Sequence, residues 1–154
     1  MIVRTMQPNE LDATLILFNY YRDEAVQTMP KIALEYDEDS VVETIRNFSI
    51  RHNTCWFNLY EGQRPVGFIA GGLVPCPWNK TIASAHIAFL FVLPSHRSID
   101  SVKQLMNEFE AWAKNCKCSQ ITGGDIGINL ERSKKLYNHL GFQEGVWMAK
   151  EIAE

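Results

Sequence analysis

Asn129-Leu130-Glu131-Arg132-Ser133-Lys134-Lys135-Leu136-Tyr137-Asn138-His139-Leu140-Gly141-Phe142 is the stretch that decides how this chain is read. Its spacing predicts a helix from Leu130 to Leu140, with Leu136 and Leu140 turned to a core, Tyr137 at the aromatic edge and Gly141 as the closing residue. Taken alone, it is an amphipathic helix with a glycine cap. Its position after a strand-loop-helix unit and before a terminal strand gives it more meaning.

Upstream, Ile82 to Val92 reads as the longest strand and runs straight into Pro94-Ser95-His96-Arg97 and a helix from about Ser101 to Asn115. Strand, loop and helix in that order build anion sites, because the N–H groups of a helix N-terminus point outward and its dipole favours negative charge. Ser119 to Thr122 is a short strand. Gly123-Gly124-Asp125-Ile126-Gly127 superficially resembles a dinucleotide loop, but no βαβ unit with a distant acidic residue surrounds it, so it reads as a flexible strand exit. Gly145 to Ile152 is the expected last strand.

Toward the N-terminus, residues 2 to 6 alternate as a strand, and Asn9 offers an N-cap to a helix patterned by Leu11, Leu15 and Phe18 that runs to about Glu24. The segment from Ala25 to Tyr36 contains Met29-Pro30 and shows no clear period. Asp37 to Asp39 cap a second helix whose apolar face is Val41, Ile45 and Phe48. Cys55 to Tyr60 and Pro65 to Val74, joined through Glu61-Gly62-Gln63-Arg64, form a hairpin, and Pro75 to Asn79 is a rigid turn. The order β-α-α-β-β-β-α-β-α-β predicts an α+β fold (α/β by looser naming): a mixed sheet with helices on both faces, in one domain over residues 1–154.

With 46% hydrophobic and 21% charged residues among 154, the chain has material for one core. A net charge of −3 and the lack of a basic stripe with interleaved aromatics argue against nucleic acid as a ligand. The apolar runs Phe68 to Trp78 and Ile82 to Pro94 are shorter than the roughly 18 residues of a membrane helix. The N-terminus alternates like a strand and lacks the pattern of a secretory signal, so the expected location is cytoplasmic. Cys55, Cys76, Cys116 and Cys118 have neither CxxC pairing nor histidines at ligand spacing, and no metal site is expected.

Two segments resemble the GNAT superfamily of acetyl-CoA-dependent N-acetyltransferases, and the resemblance in strand order covers nearly the whole chain. Asn129 to Phe142 is similar to the family's closing pattern of Asn, a small residue four on (here Ser133), Leu-Tyr and Gly-Phe. Val92-Leu93-Pro94-Ser95-His96-Arg97-Ser98-Ile99-Asp100-Ser101-Val102 is similar to its Val-x-Pro-x-x-Arg followed by Gly-x-Gly-type residues. Val92, Pro94 and Arg97 fit; Asp100 and Val102 stand where the family has glycine or alanine. Ser-containing loops of this kind are common in GNAT-like proteins carried by bacteriophages. The resemblance implies acetyl-CoA as co-substrate, bound by Phe91, Val92, Arg97, Ser98, Ile99, Asp100, Ser101, Val102, Asn129, Ser133 and Tyr137. Ser98 and Ser101 would offer hydroxyl donors, and Arg97 charge, to the pyrophosphate.

It also implies direct attack of a neutral amine on the thioester, a backbone N–H near Val92 that holds the oxyanion, and a phenol, Tyr137, that protonates the departing thiolate. Strand alternation puts Ser84, His86, Ala88, Leu90 and Val92 on one face and the bulkier Ile87, Phe89 and Phe91 on the other. His86 matches the position where several members of the family place a Glu or His base, and an imidazole titrates in the useful range. A buried structural histidine is the competing reading. His52, His96 and His139 match no family position.

Asp23, Glu24, Glu35, Asp37, Glu38 and Asp39, with Tyr20, Tyr21 and Tyr36 nearby, flank the stretch that usually walls the acceptor site in this family, which would suit a cationic amine. Helix termini stabilised by their own dipoles explain the same acids. Pairing into a homodimer through an edge strand or the hairpin beside Trp78 is open. The alternative to an N-acetyltransferase is a catalytically silent protein of the same fold, kept for binding after the loss of its glycines.

Overall fold

The computed structural model describes residues 1–28, 35–124, 130–145 and 150. Among these, β1 (Ile2–Thr5) leads through a 3₁₀ turn, Pro8–Glu10, into α1 (Leu11–Ala25). There follow α2 (Glu38–Ile50), β2 (Thr54–Glu61), β3 (Arg64–Pro75), β4 (Ala83–Val92), α3 (Ile99–Asn115), β5 (Gln120–Thr122) and α4 (Leu130–His139). The strands form one five-stranded sheet in the order β1-β2-β3-β4-β5. The first four are antiparallel, and β5 joins β4 in parallel. The mixed sheet and its helices are those expected of an α+β chain. The expected last strand lies outside the described residues apart from Gly145 and Lys150.

Local chemistry accounts for most boundaries. Asp37 caps α2 by accepting from Ser40 N at 2.9 Å, and Ile45 of the predicted apolar face is fully buried. Gly62 turns the β2–β3 hairpin at φ +61°, and Gly141 ends α4 at φ +86°, both in the left-handed region where a side chain is costly. Asn9 does not cap α1, contrary to expectation. Pro8 starts a 3₁₀ turn in which Glu10 reaches back to accept from Gln7 N at 2.8 Å, so Asn9 falls inside that turn.

One face of the sheet is covered by α1 and α2. Phe18 stacks on Phe68 at 5.9 Å and meets Phe89 edge-on at 5.3 Å, Trp56 lies 5.0 Å from Phe68, and Phe48 of α2 closes on Trp56 at 6.4 Å. Fully burying one such large apolar side chain is worth about 1.5–3 kcal/mol, so this aromatic layer is a main source of stability. On the other face α3 contributes Leu105 and Phe109, both fully buried.

Within the first layer lies a buried polar chain. Trp56 Nε1 donates to Asn58 Oδ1 (3.0 Å), Asn58 Nδ2 donates to Thr14 Oγ1 (2.8 Å) and Tyr60 Oη (3.2 Å), and Tyr60 Oη donates to Glu10 Oε2 (2.7 Å). Arg4 closes the chain by pairing with Glu10, its guanidinium 4.0 Å over the Tyr60 ring. The hydrogen bond from Arg4, with those from Tyr60 and Gln7, holds the Glu10 carboxyl down at about 2, and burial pushes the Tyr60 phenol up to about 12.

The register between β3 and β4 contains one irregularity. Ala70 pairs with Phe89 and Gly71 with Ile87, so Ala88 is an extra residue on β4. This bulge reverses the alternation expected for the strand. His86, opposite Gly72, shares the α1/α2 face with Phe89 and Phe91, whose rings meet Tyr21 at 6.0 Å each. Ile87, Leu90 and Val92, opposite Gly71, Ile69 and Gly67, share the α3 face. Gly71 is what lets the strands close here: a Cβ at that position would stand 2.2 Å from the His86 carbonyl and 2.6 Å from the Phe109 ring.

Gly71→Ala should therefore lower stability by about 1–3 kcal/mol, read as a reduced urea midpoint, because the Cβ meets backbone and a packed ring. Gly124→Ala, with nothing among the described residues within 4 Å of its Cβ, is the neutral control. The depressed Glu10 carboxyl contributes stability in full above its ordinary value of 4.5 and loses it as pH falls toward 2. Melting temperature followed across that window should fall less steeply in Glu10→Gln than in the parent protein, which starts from the higher value.

Candidate active site

The site is built on an open strand edge. Among the described residues, strand β5 pairs with β4 only over Ser84, Ala85 and His86, whereas β4 continues to Val92. Leu93 N–H bonds the Val66 carbonyl at 2.9 Å, toward β3. Antiparallel strands turn their main-chain groups alternately to either side, so Val92 and Leu90 present theirs away from β3, to the side that β5 has left. The Arg97 Nε–H bond to the Val92 carbonyl, 2.7 Å, comes from that side. The N–H groups of Leu90 and Val92 thus border a cleft of about 680 Å³ between the edge of β4 and α4.

Among the expected residues, His86, Phe91, Val92, Arg97, Ser98, Ile99, Val102, Ser133 and Tyr137 line this cleft. Asn129 lies outside the described residues. Asp100 is exposed and Ser101 fully buried, and neither lines the cleft. The Tyr137 hydroxyl donates to the Gly124 carbonyl at 3.3 Å, and its ring stands edge-on to Phe142 at 5.1 Å. Gly123 separates this ring from β4: a Cβ there would be 3.3 Å from Ile87 Cδ1 and 3.7 Å from Tyr137 Cε1. His86 is solvent-exposed, and its Nδ1 lies 2.9 Å from Thr122 Oγ1 on β5.

The loop after β4 is fastened by its own side chains. Ser98 caps α3 by accepting from Ser101 N at 3.0 Å, and the two hydroxyls are 2.9 Å apart. Ser101 Oγ in turn donates to the His96 carbonyl at 2.7 Å. With the Ser101 N–H capped, the N–H groups of Ile99 and Asp100 are left at the helix mouth. Arg97 is braced on three sides: its Nε on Val92 O, its terminal nitrogen on the Glu24 carboxylate of α1, and its guanidinium 5.4 Å over the Phe91 ring. His96 serves the same loop by bonding Glu61 Oε2 at 3.0 Å.

The acidic stretch is mostly occupied with local structure. Asp37 is a helix cap, its carboxyl held below the usual range by Ser40, and Glu24 holds Arg97. Tyr36 donates to Asn19 Oδ1 at 2.5 Å, and the Arg22 guanidinium stands 4.6 Å over its ring. Tyr21 and Glu24 of α1 wall the cleft, whereas Tyr20 faces a separate small groove with Ile16, Pro65 and Leu93.

Two pairings at the cleft carried no signal in the sequence. Thr122, in a short expected strand, meets His86 beside the cleft, and Glu24, expected only among the acids of the acceptor wall, meets Arg97 from 73 positions away. Arg132, Lys135 and His139 of α4 also border the cleft. Among the described residues, no three His, Cys, Asp or Glu side chains gather closely enough to hold a metal ion, and no helix is long and apolar enough to cross a membrane. The Cys55 thiol is pushed up to about 12 by burial and so remains protonated at neutral pH.

The chain is similar along its length to solved structures. It matches the Bacillus halodurans protein BH1408, in a tetramutant form, with a TM-score of 0.81 and 15% identity over 99% of this chain and 100% of that one. It matches the aminoglycoside antibiotic 6′-N-acetyltransferase AAC(6′)-IG from Acinetobacter haemolyticus with a TM-score of 0.72 and 18% identity over 99% and 100%. The third is a ribosomal-protein-alanine N-acetyltransferase from Brucella melitensis biovar Abortus 2308, with a TM-score of 0.73 and 14% identity over the whole of both chains. At these identities the likeness is one of fold. No curated protein sequence matches. The profile of the Acetyltransferase (GNAT) family matches residues 17–142, and with the open edge of β4 facing α4 across the cleft, the chain belongs to that family.

Proposed function

We propose that the protein transfers an acetyl group from acetyl-CoA to a primary amine by direct attack on the thioester. The observation that carries this reading is the edge of β4, unpaired beyond His86 among the described residues, whose Leu90 and Val92 N–H groups border the same cleft as Tyr137 and His86. Enzymes of this family use acetyl-CoA, and an extended pantetheine arm can be held by main-chain groups of such an edge as an added strand would be. The Val92 N–H then faces the carbonyl oxygen, where charge develops during attack. His86 takes the proton from the incoming ammonium, directly or through water, and Tyr137 gives its hydroxyl proton to the leaving sulfur.

In this reading the pyrophosphate is held less by glycines than by the open N–H groups of Ile99 and Asp100 at the start of α3. Arg97 acts on the coenzyme indirectly, by fixing Val92 and the loop. Ser98 and Ser101, which stiffen that loop, give it the character of the phage-carried members. Glu24 and the neighbouring acids favour a cationic acceptor, either a small molecule or a protein amine. A cytoplasmic location and self-association through the hairpin that bears the exposed Trp78 complete the proposal.

Calorimetric titration with acetyl-CoA should show binding, and thiol release should follow with at least one member of a panel of neamine, spermidine and an alanine-initiated peptide. Tyr137→Phe should keep the acetyl-CoA affinity and lose about 10²-fold or more in kcat. Absence of coenzyme binding at millimolar concentration would favour the silent member of the fold. Asp100 places an anion in the first turn of α3, so Asp100→Asn should tighten acetyl-CoA by about 2- to 5-fold at low salt, and the gain should shrink as salt is added.

A further inference from the structure

His86 is exposed on the cleft, yet one of its ring nitrogens is already engaged. Strands β4 and β5 pair over three positions, and the last of them sets His86 beside Thr122. There Nδ1 lies 2.9 Å from Thr122 Oγ1. Thr122 is half-buried, its strand ends at that residue, and Gly123-Gly124 carry the chain on along the cleft. A β-branched side chain on a paired strand has few χ1 choices, so the hydroxyl is held in place rather than swinging freely. Nδ1 is thereby turned to the protein, and Nε2 is the nitrogen left to meet a ligand.

We propose that Thr122 is a positioning residue that selects the tautomer and orientation of His86. A neutral imidazole has one N–H and one lone pair, and the partner at one nitrogen decides which nitrogen bears the proton. With Thr122 Oγ1 accepting from Nδ1–H, the lone pair is on Nε2, facing the cleft. When Nε2 takes a proton from an ammonium group, the ring becomes a cation with both nitrogens protonated. Nδ1–H stays on Thr122, whose oxygen then faces the new positive charge. The amine keeps the electron pair it needs for attack, and no other group has to move. Had the hydroxyl donated to Nδ1 instead, Nε2 would carry hydrogen and could not act as a base.

This inference rests on the role of His86 proposed above, but its primary test needs no substrate. Long-range ¹H–¹⁵N NMR of the imidazoles in alkaline buffer, with His86 assigned by its loss in His86→Gln, reports the tautomer directly. The parent protein and Thr122→Ser should show His86 with Nδ1 protonated and Nε2 bare. Thr122→Val, which keeps the shape and removes the oxygen, should shift His86 toward the other tautomer while its melting temperature stays close to that of the parent. A parent protein with hydrogen on Nε2, or a valine variant with an unchanged tautomer, would overturn the assignment.

With the amine that turns over fastest in the panel, Thr122→Val should lose about 10- to 100-fold in kcat, and Thr122→Ser should restore it, with KM for acetyl-CoA unmoved in both. Full turnover in His86→Gln would remove His86 as the base and leave the tautomer result standing, so the two failures are told apart.

Discussion

The close approach of β3 and β4 at Gly71 is the constraint on which the rest of the architecture turns. No side chain fits between the His86 carbonyl, the Phe109 ring and the β3 backbone, so the strands can draw together there and take up the extra residue Ala88. The extra residue divides β4 into two halves of opposite phase. The first half pairs with β5 and presents His86 to the cleft; the second puts Phe89 and Phe91 into the aromatic layer under α1. A strand without the bulge would place one of these sets on the wrong side. The same irregularity that orients a polar residue also completes the core.

Periodicity and punctuation made most elements readable. The helix over Leu130–His139, the Asp37 cap, the hairpin around Gly62 and the long strand ending at Val92 follow from local spacing and from turn residues whose backbone needs are specific. The faces of β4 were not readable, because Ala88 has the composition of an ordinary strand residue and only its partner strand reveals that it is surplus. Asn9 misled for a related reason. Its side chain is a good cap, but Pro8 and the reach of Glu10 back to Gln7 had already defined a tighter turn one step earlier.

The cleft residues divide along the same line. Val92 and Arg97 sit in one contiguous pattern and Ser133 and Tyr137 in another, and all four could be named from them. Their connections could not. Arg97 has the charge expected of a phosphate ligand, yet its guanidinium is braced between the Val92 carbonyl and Glu24, a carboxylate from the far end of the chain. A charged residue in a binding loop is as readily the loop's fastening as its ligand, and only the distance to an opposite charge decides between them. Thr122 is the converse case, a neutral residue that strand pairing alone sets beside the His86 imidazole.

The border of the cleft along β4 consists largely of main chain, and this has an evolutionary consequence. A peptide N–H belongs to every residue but proline, so substitutions at Leu90 or Val92 that keep the strand also keep the donors. Such a site is inherited through strand geometry rather than through the identity of its residues. That is consistent with the same fold recurring at TM-scores of 0.72 to 0.81 among chains that share only 14% to 18% of their residues. Side chains around the cleft are then free to diverge without rebuilding the strand edge that borders it.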